Sequence, residues 1–156
     1  MIEVEIPGER ALRLEHLVLD FNGTLACDGI LLAGVRDRLI RLSGSLRIHV
    51  VTGDTFHRAR AELAGLPCDL HILGPLEQAR AKLNYVQQLG TERTACVGNG
   101  RNDVLMVEAA ALGIAVVQAE TAAAATVRAA DLVARDVCDA LDLFFNPQRL
   151  VAALRA

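Results

Sequence analysis

The sequence contains no tryptophan, one tyrosine and one lysine, Lys82, and aromatic residues make up only 3% of its 156 positions. Since 53% of the residues are hydrophobic, the core must be built from Leu, Val, Ile and Ala, a composition that suits helices packed on a sheet. Cysteine is sparse. Cys27, Cys68, Cys96 and Cys138 are far apart with no C-x-x-C pair, which excludes the usual zinc and redox signatures and leaves buried or incidental thiols. There is no excess of positive charge: the net charge is −3 and the basic residues are scattered, so a nucleic-acid partner has no electrostatic footprint. No apolar run approaches the roughly 18 residues that cross a bilayer, and no secretory leader opens the chain. These absences point to a cytoplasmic protein without a membrane partner, folded as a single domain over 1–156.

What is present alternates. Ile2 to Ile6, a Pro7-Gly8 turn and Leu12 to Leu14 read as an N-terminal edge hairpin. Leu17 to Leu19 is a short apolar run without polar alternation, as expected of a buried parallel strand, and it ends on Asp20. Cys27-Asp28-Gly29-Ile30 reads as a tight-turn flap, and Val35 to Leu42 as a helix. Further strands are expected at Ile48–Val51, Leu70–Leu73, Ala95–Val97, Ile114–Val117 and Leu132–Ala134. Further helices are expected at Phe56–Ala64, Glu77–Leu89, from about Asp103, at Thr121–Ala129, Asp136–Leu143 and Pro147–Leu154. Asn102 and Asn146 are the expected caps of two of these helices. The order predicts an α/β fold, a doubly wound parallel sheet in a three-layer α/β/α arrangement.

Three of the strands end on chemistry: Asp20, then Thr52-Gly53-Asp54, then Gly98-Asn99-Gly100-Arg101-Asn102-Asp103. Neighbouring strands of one parallel sheet would bring these ends to a single ligand. A carboxylate nucleophile, a hydroxyl, a second carboxylate and glycine-freed amides suit a phosphoryl group with Mg²⁺. The fourth ingredient is a cation. A chain that otherwise uses only arginine has one lysine, Lys82, where a compact ammonium would serve. His16, His49, His57 and His71 show no metal-binding spacing. Asp54 reads as a cap of the helix that follows it.

The residues DFNGT, VVTGD, Lys82 and GNGRND, in that order, resemble the four motifs of the haloacid-dehalogenase (HAD) superfamily of phosphohydrolases. More narrowly, they resemble the soluble relatives of the P-type ATPase catalytic domain. The resemblance implies a HAD-like, Rossmannoid fold and a phosphatase acting on small-molecule phosphate esters. In it Asp20 forms an aspartyl-phosphate. Thr52, with Gly53 and Gly23, binds the phosphoryl group, and Lys82 offsets charge on both nucleophile and phosphate. Mg²⁺ would be held by Asp20, Asp103, the backbone carbonyl of Asn22 and Asn99.

Two departures from the pattern shape the expectation. Asn22 stands where the family's phosphatases carry their general acid, and an amide exchanges no protons at neutral pH, so a loss of roughly 10²–10⁴-fold is expected. Asn99 stands where the fourth motif has its first acid, which weakens the cation site. These two residues sustain the alternative of a degenerate regulatory or phosphate-binding module. The spacing between Asp20 and Thr52 leaves no room for a helical cap. A capless, open site is expected, to be covered by a partner in a homo-oligomer or by the Asp28-Gly29 flap.

Overall fold

The computed structural model describes residues 1–156. A hairpin opens the chain, β1 (Ile2–Val4) against β2 (Leu12–Leu14), with Ile2 opposite Leu14. It forms as expected but as a two-stranded sheet of its own. One residue, Glu15, separates β2 from β3 (His16–Leu19), and its N–H and C=O bond Arg93 and Arg47 at the ends of the neighbouring strands. The hairpin therefore continues from the N-terminal end of the central strand and cannot reach an edge of the main sheet.

After β3 come the flap strands β4 (Ala26–Cys27) and β5 (Ile30–Leu31), joined through Asp28 and Gly29 at positive φ. Then follow α1 (Val35–Leu42), β6 (Arg47–Thr52), α2 (Ala59–Glu62), β7 (Cys68–Ile72), α3 (Gln78–Leu89) and β8 (Thr94–Gly98). The chain ends with α4 (Val104–Ala109), β9 (Leu112–Val116), α5 (Ala124–Ala129), β10 (Leu132–Ala134), α6 (Val137–Asp142) and α7 (Pro147–Leu154). Six strands make one parallel sheet in the order β10-β9-β8-β3-β6-β7.

Alternation along the strands divides the core into two layers. Leu17, Leu19, Ile48, Val50, Ala95 and Val97 join the larger cluster, which α1, α6 and α7 cover. Val18, Val51 and Cys96 face the other way, onto Val86 of α3 and Met106 and Val107 of α4. No helix is long and apolar enough to cross a membrane.

Several element boundaries differ from those the sequence predicts, each for a local reason. The helix expected over 56–64 is only α2, because Asp54 and His57 take positive φ and the chain turns, with the His57 N–H donating to the Asp54 carbonyl. The helix expected from Thr121 begins at Ala124. Thr121 has φ 62, its carbonyl accepts from the Asn99 amide, and the Ala123 N–H donates to the Asn99 carbonyl, so this stretch docks a loop instead of winding. The helix expected over Asp136–Leu143 is α6 plus a 3₁₀ turn through Phe145, with the Asp136 carboxylate capping the Asp139 N–H. Neither asparagine caps through its side chain. Asn102 donates to Gln78 Oε1 at 3.0 Å, and Asn146 donates to the Asp142 carbonyl at 2.8 Å.

Candidate active site

The central strand β3 is flanked by β6 and β8, so the three chemistry-bearing strand ends are neighbours. Asp20 follows β3 on the same side of the chain as Val18, towards α3. Lys82 lies one turn into α3 and has no exposed surface. Its Nζ donates to Asp20 Oδ1 at 2.5 Å and to Asp103 Oδ1 at 2.7 Å. A buried ammonium between two buried carboxylates leaves a net charge of −1 in a region of low dielectric.

The electrostatics follow from that triad. Burial lifts the Asp20 carboxyl to about 6, and the nearby Asp103 charge pushes in the same direction, against the opposing pull of Lys82. Burial works against the Lys82 ammonium, but its two carboxylate partners outweigh it and hold the group above its ordinary range. Asp103 is fixed from two sides. Its Oδ2 accepts the N–H groups of Asn99 and Gly100, each at 2.9 Å, while Oδ1 takes Lys82.

A second set of bonds fixes the loop after β3. The Thr24 hydroxyl lies 3.2 Å from both Asp20 Oδ2 and Asn99 Oδ1. Asn99 Nδ2 donates to the Thr121 carbonyl, so Asn99 braces this loop and keeps one oxygen lone pair for a cation. Gly23 has φ +79, and a Cβ there would fall 2.3 Å from Asn99 Nδ2, so only glycine lets the two loops meet. Gln118 completes the arrangement. Its Nε2 donates to the carbonyls of Gly23 and Thr24 at 3.0 and 2.6 Å, while its Oε1 accepts the Val137 N–H.

On the β6 side, Thr52 is buried and its Oγ1 accepts the Asp54 N–H at 2.9 Å, which leaves the hydroxyl hydrogen to be donated elsewhere. Asp54 caps α2 as the sequence suggests, its Oδ1 accepting from Arg58 and Ala59. The Gln78 amide lies where a side chain on residue 53 would stand, 2.3 Å from that Cβ position, and it ties the Gly74 carbonyl to Asn102. Asn22 carries the one buried side-chain polar atom without a partner, Oδ1.

The residues picked from sequence therefore gather at the carboxyl end of β3, β6 and β8. Those that sequence reasoning missed are Gln78 and Gln118, whose partners are distant in the chain and which carry no local signal. Thr24 was missed as well, although it is the last residue of DFNGT and its hydroxyl reaches Asp20 and Asn99. His16 and His49 share a hydrogen bond at 3.1 Å, and His49 meets the Tyr85 hydroxyl at 2.9 Å. The four cysteines are free thiols, and burial pushes that of Cys96 far up.

No family model matches the chain. The uncharacterized protein MJ0073 of Methanocaldococcus jannaschii is 40% identical over 79 residues, which are 48% of this chain and 85% of that protein. Among solved structures, the cobalt-bound deoxy-D-mannose-octulosonate 8-phosphate phosphatase of Haemophilus influenzae aligns with a TM-score of 0.69 at 22% identity, over 92% of this chain and 94% of its own. The 3-deoxy-D-manno-octulosonate 8-phosphate phosphatase of Moraxella catarrhalis, in complex with magnesium, phosphate and its sugar, aligns with a TM-score of 0.69 at 18% identity over 90% of each chain.

Proposed function

The chain belongs to the family of MJ0073 and has the haloacid-dehalogenase fold; from that premise we propose that it is a Mg²⁺-dependent phosphomonoesterase, working as a single domain on a small phosphate ester through Asp20. The observation that carries this reading is the fully buried Lys82 bridging Asp20 and Asp103 at the end of the central strand, beside Thr52 of the next.

The donor set suits a hard cation. Asp20, Asp103, the Asn22 carbonyl and Asn99 offer only oxygen, the triad carries one uncompensated negative charge, and Asn22 Oδ1 is a buried acceptor without a donor. When bound, Mg²⁺ would neutralise phosphoryl charge as it develops. This chain's own residues would do the rest. Lys82 holds Asp20 by one oxygen and keeps it oriented for attack on phosphorus. Thr52 donates its free hydroxyl hydrogen to a phosphoryl oxygen. Attack by the Asp20 carboxylate breaks the bond from phosphorus to the ester oxygen, and water then releases phosphate and regenerates the carboxylate. Asn22 supplies no proton to the leaving alcohol, so solvent must do so, and turnover is slow.

The test is phosphate release from para-nitrophenyl phosphate with Mg²⁺, compared with Asp20→Asn. Release by the wild type and none by the variant is the expected result, with acid-quenched protein carrying a hydroxylamine-labile phosphate. Asn22 favours one other reading, a module that binds phosphate without turnover. Saturable phosphate binding with no release across a panel of monoesters would replace the enzyme by that module.

A further inference from the structure

A second cavity, of about 390 Å³, lies between the β4–β5 flap, the loop after β9 and the start of α6. None of Asp20, Thr52, Lys82 or Asp103 lines it, so it is distinct from the triad, although the two share Gly23 as a wall. Ala26, Leu32 and Val137 give it an apolar interior. Its charged lining residues are Glu120 and Asp136, and no lysine or arginine reaches it. Beside the flap the Asp28 carboxylate, outside the lining itself, and the Cys27 sulfur lie within 4.8 Å of the Glu120 carboxylate, so two acidic groups meet at this edge of the cavity.

An apolar cavity with a few convergent polar groups of one sign selects its ligand by shape and charge together. We propose that this pocket binds a small organic cation, a primary amine on an aromatic or alkyl body, as a site separate from the phosphate centre. Glu120 and Asp136 each keep acceptor capacity for an ammonium. Glu120 Oε2 takes the Asp28 N–H at 3.2 Å, and Asp136 Oδ1 takes the Asp139 N–H at 2.8 Å, leaving the other oxygen of each carboxylate.

The position of the pocket couples it to the nucleophile. Gln118 lines it and grips the carbonyls of Gly23 and Thr24, and the Thr24 hydroxyl touches Asp20. An occupant that shifts Gln118 is felt at Asp20 through one side chain and one peptide unit. Occupancy of the pocket is thus carried to the loop after β3 without the occupant entering the triad.

The test uses the full chain treated with EDTA and titrated with 2-phenylethylamine, followed by calorimetry and by backbone amide shifts. Expected is saturable one-to-one binding, with Kd roughly 0.1–1 mM for a ligand of this size, and with shifts at Gly23, Thr24 and Gln118. The double variant Glu120→Gln with Asp136→Asn keeps both backbone hydrogen bonds and the α6 cap. It should weaken binding by about tenfold or more, as should replacing the amine with neutral 2-phenylethanol. Absence of saturable binding, unchanged affinity in the double variant, or shifts that avoid Gly23 and Gln118 would each overturn the assignment. None of these readouts depends on phosphate-ester turnover, so the outcome is independent of the proposed activity.

Discussion

Lys82 has carboxylates on two sides and no exposed surface, so removing its charge leaves Asp20 and Asp103 opposed in a buried space. Lys82→Met is expected to lower stability by about 3–5 kcal/mol at neutral pH. Part of that loss should return at pH 5, where Asp20 takes up a proton; urea midpoints at the two pH values check both statements. Asn22 is the complementary case. Asn22→Asp restores a proton donor two residues after the nucleophile and should raise phosphate release at pH 7 by about tenfold or more from an alkyl phosphate, whose alkoxide leaving group needs that proton. An unchanged rate would mean that position 22 does not face the leaving group. Both residues stand out in the sequence, Lys82 as the only lysine and Asn22 as the departure within DFNGT. Their partners are another matter. That Asp103 spends one oxygen on the Asn99 and Gly100 amides follows from how the turn after β8 closes, which spacing does not encode.

At the scale of elements, the apolar runs foretold the central strands β3, β6 and β8, because a strand covered on both faces leaves an uninterrupted apolar stretch. The partly exposed edge strand β7, by contrast, runs Cys68–Ile72 instead of Leu70–Leu73, and β9 runs Leu112–Val116 instead of Ile114–Val117. The sequence reading of α1 and α7 also matches their observed bounds, with Pro147 opening α7. It failed where loops do work. The turn through Asp54 and His57 and the docking of Thr121 against Asn99 are tertiary arrangements that override local helical spacing. The loop after β3 shows what depends on such contacts. Gly23→Ala puts a methyl at positive φ and drives it into Asn99. We expect a loss of about 1–3 kcal/mol and suppressed phosphate release, whereas Gly65→Ala, with open space around its Cβ position, should share only the backbone strain. Thermal melts and release assays on the two variants separate the contact from the strain.

At the scale of the whole molecule, two buried groups oppose each other as pH changes. Burial first, then Asp103, lifts Asp20 from 3.8 to about 6, so between these values the folded state binds more protons than the unfolded, and this contribution to stability falls as pH rises. His49 runs the other way. Burial lowers it from 6.5 to about 4, so the unfolded state binds more protons in that window and this contribution rises with pH. In EDTA the opposing contributions should leave the wild type flatter between pH 4 and 6 than Asp20→Asn, which keeps the His49 contribution and that of His16, also lowered by burial, and should gain stability with pH; melting temperatures across the window test the contrast. Mg²⁺ should raise the wild-type melting temperature more at pH 7.5 than at pH 5, because protons compete for its ligands. The seclusion of the chain's single lysine has a further consequence. The folded surface presents no lysine side chain for acylation, cross-linking or enzymatic tagging, so an amine-reactive reagent can reach Lys82 only when the sheet and α3 part. Modification at that position is then a one-residue clock for opening of the active site, and any ligand that tightens the triad will slow it.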